Sequence, residues 1–294
     1  MSIGEKIREL RVAKLMTQTE LAGTQITRNM LSCIENGSAQ PSLSTIRYIA
    51  GRLNVPAGFL LAEEGDEIVY RKMSGFSNIK RAYVAGDLWG CRSLCLSSCP
   101  EPDDEICLLL ADCDLGIAVS EFWNGKLRSA CRFFDEALEY AAKTMYHTAH
   151  VEAEAGVFFR YMQRISPTLY SDVWDEEKAI RLQAKNDFSD YTDALDALDN
   201  GDRGAAEEYL ACADETSFFA SHIRIRCMIE DGEHDVARKE LLSLLEAEQP
   251  LNEVNLYTVL CELEICCREI EDFRGAYNYA NEKVLLLERL LREI

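Results

Sequence analysis

The segment from Thr17 to Gly37 constrains the fold of this chain more than any other stretch. Thr17 and Glu20 have the spacing of a capping box, in which a hydroxyl and a carboxylate each satisfy a free amide at a helix start. An apolar Leu-Ala pair follows, and Gly23 interrupts the helical pattern. A second helix start comes within a few residues. We therefore predict two short helices joined by a tight turn.

The second helix of this pair is predicted to begin at Thr27, a favoured N-cap residue, and to run to Asn36. Gly37 then supplies the left-handed residue at which many helices end. One apolar stripe is predicted to be buried, and its members are Met30, Leu31 and Ile34. The other face carries short or hydrogen-bonding side chains, namely Arg28, Asn29, Ser32 and Cys33. Such a helix packs on its partner with one side and leaves the other side free for a groove.

The segments TQTELA, TRNMLSCIENG and PSLSTIRYIAGRLNVP, in this order, resemble the phage-repressor-like (Xre-type) helix-turn-helix family. The resemblance covers about the first sixty residues. It implies a small helical domain whose second helix enters the major groove of DNA with its N-terminal residues. The head is therefore expected to bind double-stranded operator DNA.

Arg28 and Asn29 are predicted to read bases because they lie in the first turn of this recognition helix. A guanidinium suits the edge of guanine, and a carboxamide suits the edge of adenine. Ser32 and Cys33 lie one turn later and are predicted to contact a base edge or a methyl group. The predicted DNA-binding set is completed by Thr17 and by three residues expected to contact phosphates, Gln18, Thr27 and Asn36.

The net charge of the whole chain, −20, argues against nucleic-acid binding until the chain is divided. Residues 1–60 contain seven Lys or Arg and four Glu, a balance of +3, whereas the remainder contains 24 basic and 47 acidic residues, a balance of −23. An acidic body on a mildly basic head is compatible with DNA binding by the head alone, because the body repels phosphate. Four cations are predicted on the exposed side of the first helix, Lys6, Arg8, Arg11 and Lys14.

A spacing pattern repeats through the rest of the chain. Each unit has a turn residue, a small residue five positions later, a large or apolar residue four positions further, and another small or apolar residue after three more. The turns are 39, 76, 31 and 39 positions apart, and the longest gap leaves room for a divergent unit, formed by a helix around Val151–Ile165 and the segment after Pro167. The five predicted turns lie at Gly86, Gly125, Gly201, Gly232 and Glu271.

These spacings resemble the tetratricopeptide repeat, a pair of helices that stacks on its neighbours into a superhelix with a concave inner surface. The predicted fold class is all-α, with a helix-turn-helix domain followed by a tetratricopeptide-like α-solenoid; an irregular helical bundle is the alternative. We predict a head at 1–62, a linker at 63–74, where the chain is polar and acidic, and a repeat domain at 75–294. The last helix, which ends in VLLLERLLREI, is predicted either to cap the solenoid or to form a subunit interface.

Export, membrane insertion and catalysis are not indicated. No apolar run approaches the roughly 18 residues of a spanning helix, and the N-terminus lacks the apolar core of a signal peptide, so a cytoplasmic location is expected.

Twelve cysteines are then predicted to be reduced thiols. Three of them, Cys91, Cys95 and Cys99, are predicted to pack one helix against the next. His147 and His150 lie on one helical face without a compelling further metal ligand. With no phosphate-binding loop or nucleophile motif, we expect neither an enzyme nor a cofactor.

A DNA-reading head on a repeat body is similar to the Gram-positive peptide-pheromone regulators of the Rgg/PlcR type. That resemblance implies a homodimer that binds operator DNA and a body that binds a short signalling peptide in its concave groove, as in quorum sensing. Side chains predicted to hold the peptide backbone are Asn186, Tyr191, Asn255, Tyr257 and Asn278. Two alternatives remain open: a protein-interaction scaffold whose head does not bind DNA, and a prophage-type repressor, although such repressors are usually shorter.

Overall fold

The structure, a computed structural model, describes residues 2–62, 66–174 and 186–292. Within these ranges every regular element is an α-helix, as predicted. The chain forms two compact units, Met1–Pro102 and Asp103–Ile294. None of the described helices is both long and apolar enough to cross a membrane.

The first unit consists of a five-helix head and a helical hairpin. The head contains α1 (Ile3–Ala13), α2 (Gln18–Ala22), α3 (Arg28–Glu35), α4 (Leu43–Leu53) and α5 (Ala57–Leu61). The hairpin contains α6 (Asp66–Val84) and α7 (Leu88–Ser98).

The division of the chain differs from the predicted one. Helix α6 begins at Asp66, so residues 66–74 of the predicted linker are helical, whereas residues 63–65 lie outside the described residues. Because α6 packs against α5 as well as α7, the compact unit extends to Pro102. The first predicted repeat turn, at Gly86, therefore belongs to the same unit as the head.

The head is organised around an apolar core to which every one of its helices contributes. The core side chains of α3 are Leu31 and Ile34, as predicted, but Met30 is 40% exposed, so the prediction that Met30 is buried is wrong. The buried side of α3 instead includes Glu35, whose carboxylate accepts a hydrogen bond from Arg11 of α1. The other core side chains are Ile7, Leu21, Ile49, Leu53 and Leu60.

Two glycines allow the helices of the head to approach closely. A Cβ atom at Gly4 would collide with the main-chain carbonyl oxygen of Ile34, so α1 and α3 cross at this residue. Gly23 ends α2 with a φ of +59°, and a Cβ there would collide with the hydroxyl of Tyr48. That hydroxyl donates a hydrogen bond to the carbonyl oxygen of Ala22 over 3.0 Å, which ties the end of α2 to α4.

The second unit contains nine helices within the described residues. They are α8 (Asp104–Trp123), α9 (Leu127–Lys143), α10 (Ala149–Ile165), α11 (Asp187–Asp199), α12 (Arg203–Cys212), α13 (Phe218–Glu230), α14 (His234–Leu245), α15 (Glu253–Glu269) and α16 (Phe273–Leu290). Helices adjacent in the chain pack together, and α15 also contacts α8. The Nε of Arg128 donates to the carbonyl oxygen of Leu291 over 2.7 Å. The end of α16 therefore lies next to the start of α9. Helix α10 occupies the predicted divergent unit.

The five predicted turns share one backbone geometry. Their φ values are all positive, at Gly86 (73°), Gly125 (75°), Gly201 (79°), Gly232 (78°) and Glu271 (63°). In each turn this residue donates its amide to the carbonyl three positions back, and the next residue donates to the carbonyl five positions back. Closing each helix with a left-handed residue satisfies its last carbonyl groups. The phase of the repeat is therefore confirmed, including the one turn without glycine.

The small side chains that follow the turns let the helices approach each other. Cys91, Ala130, Ala206 and Ala237 are fully buried five positions after their turns, and Ala276 is half-buried. Cys95 and Cys99 are buried on the same helical face as Cys91, which agrees with the predicted packing role of these three thiols.

Candidate functional site

The outward face of α3 carries the residues predicted to contact DNA. Arg28 is the first residue of the helix, and Thr27 caps it by accepting a hydrogen bond from the amide of Met30 over 3.1 Å. Successive helical residues turn by about 100°. The α3 residues predicted to contact DNA therefore lie within an arc of roughly 140°; they are Arg28, Asn29, Ser32, Cys33 and Asn36. This arc is on the side opposite Leu31 and Ile34. Four of these residues are exposed, Arg28, Asn29, Cys33 and Asn36, and Ser32 is half-buried.

A largely buried ion pair holds α3 at the edge of its buried side. The guanidinium of Arg11 on α1 donates to both carboxylate oxygens of Glu35, over 2.6 Å and 3.0 Å. The side-chain amide of Gln18 on α2 donates to the same carboxylate over 2.8 Å. Glu35 thus joins the first three helices at one point, and this point fixes the rotation of α3 about its axis.

The environment of Glu35 favours its charged form. Burial of this carboxylate acts to raise its pKa, but hydrogen bonds from Arg11 and Gln18 and the positive charge of Arg11 outweigh burial, so the pKa lies below its ordinary value. The hydrogen bond to Glu35 in turn raises the pKa of Arg11. The pair is therefore ionised at neutral pH.

The cations of α1 do not all face outward. Lys6 is 1% exposed, and its ammonium group donates to the carbonyl oxygen of Ala62. Arg11 is mostly buried against Glu35. The predicted exposure is therefore wrong for these two residues, because each reaches a fixed acceptor inside the head. The cations left exposed on the head include Arg8, Lys14, Arg28 and Arg47.

Two of the remaining residues predicted to bind DNA, Thr17 and Thr27, cap helix starts. The Thr17 hydroxyl accepts from the amide of Glu20 over 3.2 Å, and the Glu20 carboxylate accepts from the amide of Thr17 over 2.7 Å, which confirms the capping box. The Gln18 amide is engaged by Glu35, and the Thr27 hydroxyl caps α3. Asn36 is exposed at the end of α3. Phosphate contact by Gln18, Thr27 and Asn36 stays a prediction, as does DNA contact by Thr17.

The second unit has a small cavity of about 130 Å³ between its helices. Its walls come from α10, α11, α13 and α15. The hydroxyl groups of Tyr161 and Thr258 are 2.9 Å apart across it. The residues that line it are Tyr161, Arg164, Ile165, Leu195, His222, Arg226, Tyr257, Thr258, Cys261 and Glu262.

Buried charges form one wall of this cavity. Arg226 donates to Glu262 over 3.0 Å and to Asp199 over 2.9 Å. Burial acts to raise the pKa of Glu262, but His222 and Arg226 together keep it below its ordinary value. The Nε2 atom of His222 and the Oε2 atom of Glu262 are buried, and neither has a hydrogen-bond partner among the described residues. Within the described residues, two polar atoms of this wall are thus buried without a hydrogen bond, and the first of them lies 3.8 Å from Oε1 of Glu262.

The structure brings few of the predicted peptide-binding residues to this cavity. Tyr257 lines it, and Tyr191 lies behind it, with its hydroxyl 2.9 Å from Nδ1 of His222. Asn255 is buried, Asn186 caps α11 by accepting from the amide of Ser189 over 2.8 Å, and Asn278 is exposed on α16. These five residues therefore do not form one common surface.

Three charged side chains and one imidazole in the wall were not predicted from the sequence. They are Arg164, His222, Arg226 and Glu262. The only available signal was the spacing of His222 and Arg226, which are four positions apart and so share a helical face. That spacing is equally typical of solvent-exposed charges.

Comparison with known proteins identifies the head. The helix-turn-helix family model HTH_3 matches residues 7–60. The immunity repressor protein of Bacillus phage phi105 is 34% identical over 65 residues, which are 22% of this chain and 45% of that protein. The matched part thus spans less than half of the relative. The predicted helix-turn-helix head is confirmed.

The comparison with solved structures gives an alignment over almost the whole chain. The chain is similar to PlcR of Bacillus thuringiensis, solved in complex with the peptide PapR7 and DNA, with 98% of this chain and 96% of that chain covered. The sequence identity is 14% and the TM-score is 0.26. A TM-score this low does not establish a common arrangement of the helices.

Proposed function

We propose that this chain is a transcription regulator whose head binds a specific double-stranded DNA operator. The observation that carries this proposal is the two-sided character of α3. One side is fixed by the core and by the Arg11–Glu35 pair, and the other side presents Arg28 and Asn29 to solvent in the first helical turn. A recognition helix needs a rigid inner side and a polar outer side that enters the major groove. The match of residues 7–60 to the helix-turn-helix family supports the same function.

The proposed regulator acts as a homodimer. One such head covers only a single half-site, and a single module buries roughly 600–1,000 Å² of protein surface. Two heads related by a two-fold axis read two half-sites about 34 Å apart, or a multiple of that distance, which raises both affinity and specificity. The acidic body limits binding to unrelated DNA, because it repels phosphate.

Selection from genomic DNA tests the proposal. Purified protein is mixed with sheared DNA of the organism that encodes it, and bound fragments are sequenced. We expect a few enriched fragments that share an inverted repeat, and an affinity for them that falls linearly with salt on logarithmic axes. The scaffold alternative predicts no enriched sequence. An affinity that is independent of salt would also contradict DNA recognition.

We further propose that the body senses a short peptide. About 130 Å³ has room for one side chain or one terminal group, given that a water molecule occupies roughly 30 Å³ in the liquid. The buried unpartnered atoms of His222 and Glu262 favour a group that both donates and accepts hydrogen bonds. An extended peptide would place one such group in the cavity and leave its remaining residues outside.

Thermal denaturation with short synthetic peptides tests this second proposal. The peptides are taken from the products of genes adjacent to the one that encodes this chain, and scrambled versions serve as controls. We expect one peptide to raise the melting temperature in a concentration-dependent way, because a ligand that binds only the folded state stabilises it. If none stabilises the protein more than its scrambled version, peptide sensing is wrong and DNA binding is unaffected.

A further inference from the structure

The last helix, α16, has two apolar sides, and only one of them is covered. On the inner side Leu286 and Leu290 are fully buried. The outer side carries four large apolar side chains that remain exposed, Phe273 (68%), Tyr277 (67%), Val284 (52%) and Leu285 (62%). At about 100° per residue these four lie on the side directed away from the buried leucines.

This outer apolar stripe runs along most of the helix. The helix has 18 residues and is therefore roughly 27 Å long. Single exposed apolar residues are ordinary, but a continuous apolar row on one helical face is typical of a surface that binds another protein. We call the row of Phe273, Tyr277, Val284 and Leu285, with Asn281 at its centre, the outer stripe.

The outer stripe is compatible with a two-fold axis through Asn281. Tyr277 and Leu285 lie four positions to either side of Asn281, and Arg274 and Glu288 lie seven positions to either side. If a second α16 packs antiparallel about this axis, the Tyr277 side chain lies level with Leu285 of the second copy. Arg274 likewise lies level with Glu288, which gives two opposite-charge pairs per interface.

The two charged residues are available for such pairing. Arg274 and Glu288 are both exposed, and neither forms an ion pair or hydrogen bond within the described part of the protomer. Asn281 meets its own symmetry mate at the axis. A single polar residue at the centre of an apolar helix pair fixes register, because any shift leaves its amide unpartnered. The same helix face is thus complementary to itself in charge and polarity.

We propose that a second copy of this chain covers the outer stripe, with the two α16 helices antiparallel about a two-fold axis at Asn281. An interface of this kind is isologous, since the same surface serves both protomers. The inference rests on the proposed homodimer and assigns its contact surface in the body.

Charge reversal tests the pairing of Arg274 with Glu288. Sedimentation equilibrium of the full chain measures the dimer dissociation constant for wild type, Arg274→Glu, Glu288→Arg and the double variant. Each single reversal replaces both opposite-charge pairs of the interface by like-charge pairs. We therefore expect the dimer dissociation constant to rise roughly tenfold. The double variant restores opposite charges, and its constant should return close to that of wild type. Lys239→Glu, an exposed reversal on α14, is the matched control and should have no effect.

A cysteine cross-link tests the position of the axis. Asn281→Cys is introduced after the exposed thiols Cys33 and Cys212 have been replaced by serine. A cysteine on the axis lies within disulfide reach of its mate, so mild oxidation with copper phenanthroline should yield a covalent dimer. Lys239→Cys in the same background should remain uncross-linked.

The outcomes separate this inference from the function on which it rests. A wild-type dimer that is insensitive to both single reversals, together with an Asn281→Cys variant that does not cross-link, would overturn the α16 surface while leaving the homodimer intact. A wild-type chain that stays monomeric, with and without its selected DNA fragment, would overturn both. Rescue by the double variant together with cross-linking of the Asn281→Cys variant would support the proposed register.

Discussion

Replacing Glu35 by alanine is expected to lower the free energy of unfolding of the head by about 3 kcal/mol. Removing one member of a buried ion pair leaves the other charge without compensation, which typically costs roughly 3–5 kcal/mol. We expect the lower end of this range because the Arg11 side chain retains some exposure. The change also releases Gln18, so α1, α2 and α3 lose their common contact.

Hydrogen exchange of the full chain measures this loss where it occurs. A reduction of about 3 kcal/mol corresponds to roughly a hundredfold faster exchange of the protected amides of α1 and α3. Glu9→Ala is the matched control, because Glu9 is an exposed glutamate on α1 and such changes usually cost less than about 0.5 kcal/mol. Equal exchange rates in the two variants would contradict the role of Glu35. Helices of the second unit should keep their protection.

The same carboxylate predicts the response of the head to acid. Its pKa in the folded protein lies below the ordinary value of 4.5, whereas the unfolded chain retains the ordinary value. Its contribution is therefore complete above the unfolded pKa and is lost as the pH falls through the folded pKa. Glu35→Gln removes the charge while keeping an acceptor, so the exchange rates of wild type and variant should differ above pH 4.5 and converge as the pH falls through the lowered pKa of Glu35. A difference that stays constant with pH would show that the charge does not contribute.

The elements of the fold that depend on local chemistry were predictable from the sequence. Capping pairs such as Thr17 and Glu20 act within one helical turn, so their residue types suffice to locate a helix start. The repeat turns are local as well, because a left-handed residue closes the preceding helix through two backbone hydrogen bonds. Glu271 has the same geometry as the glycines, and only its phase in the repeat identified it.

Features that depend on contacts between distant helices were not predictable. Met30 and Glu35 flank the same apolar pair in α3, and only the presence of Arg11 on α1 turns Glu35 inward and leaves Met30 exposed. Lys6 is buried because the carbonyl oxygen of Ala62 lies within its reach, 56 positions away in the chain. The cavity of the second unit combines residues from four helices, and no motif links their positions.

The outward face of α3 needs both kinds of information. Helical spacing predicts that Arg28, Asn29 and Cys33 share one side, and the structure leaves all three exposed. Whether this side is free of the rest of the head depends on the crossing of α1 and α3 at Gly4, where only glycine fits. The direction in which Arg28 points follows from this crossing and not from its own neighbours in the sequence.

Replacing Arg28 by alanine is expected to weaken binding to the selected operator by about 1–3 kcal/mol, which is the usual contribution of one bidentate contact to a base. Arg28 lies in the first turn of α3, is exposed, and forms no ion pair within the described residues, so its guanidinium is available to the edge of a guanine. The loss should be confined to one position of the half-site. Fluorescence anisotropy with operators that carry each base in turn at every position measures it.

Lys14→Ala is the matched control, because Lys14 is an exposed cation of the same head that lies outside the recognition helix. A cation that contacts only phosphate should weaken binding to all sequences alike and reduce the salt slope by about one. Arg28→Ala should instead leave binding to unrelated DNA almost unchanged and abolish the preference for guanine at its own position. Arg28→Lys should restore charge without the planar fork, and therefore recover little of the preference. If Arg28→Ala weakens every sequence equally, Arg28 holds the backbone, and the reading of bases must be assigned to other residues on the same face of α3.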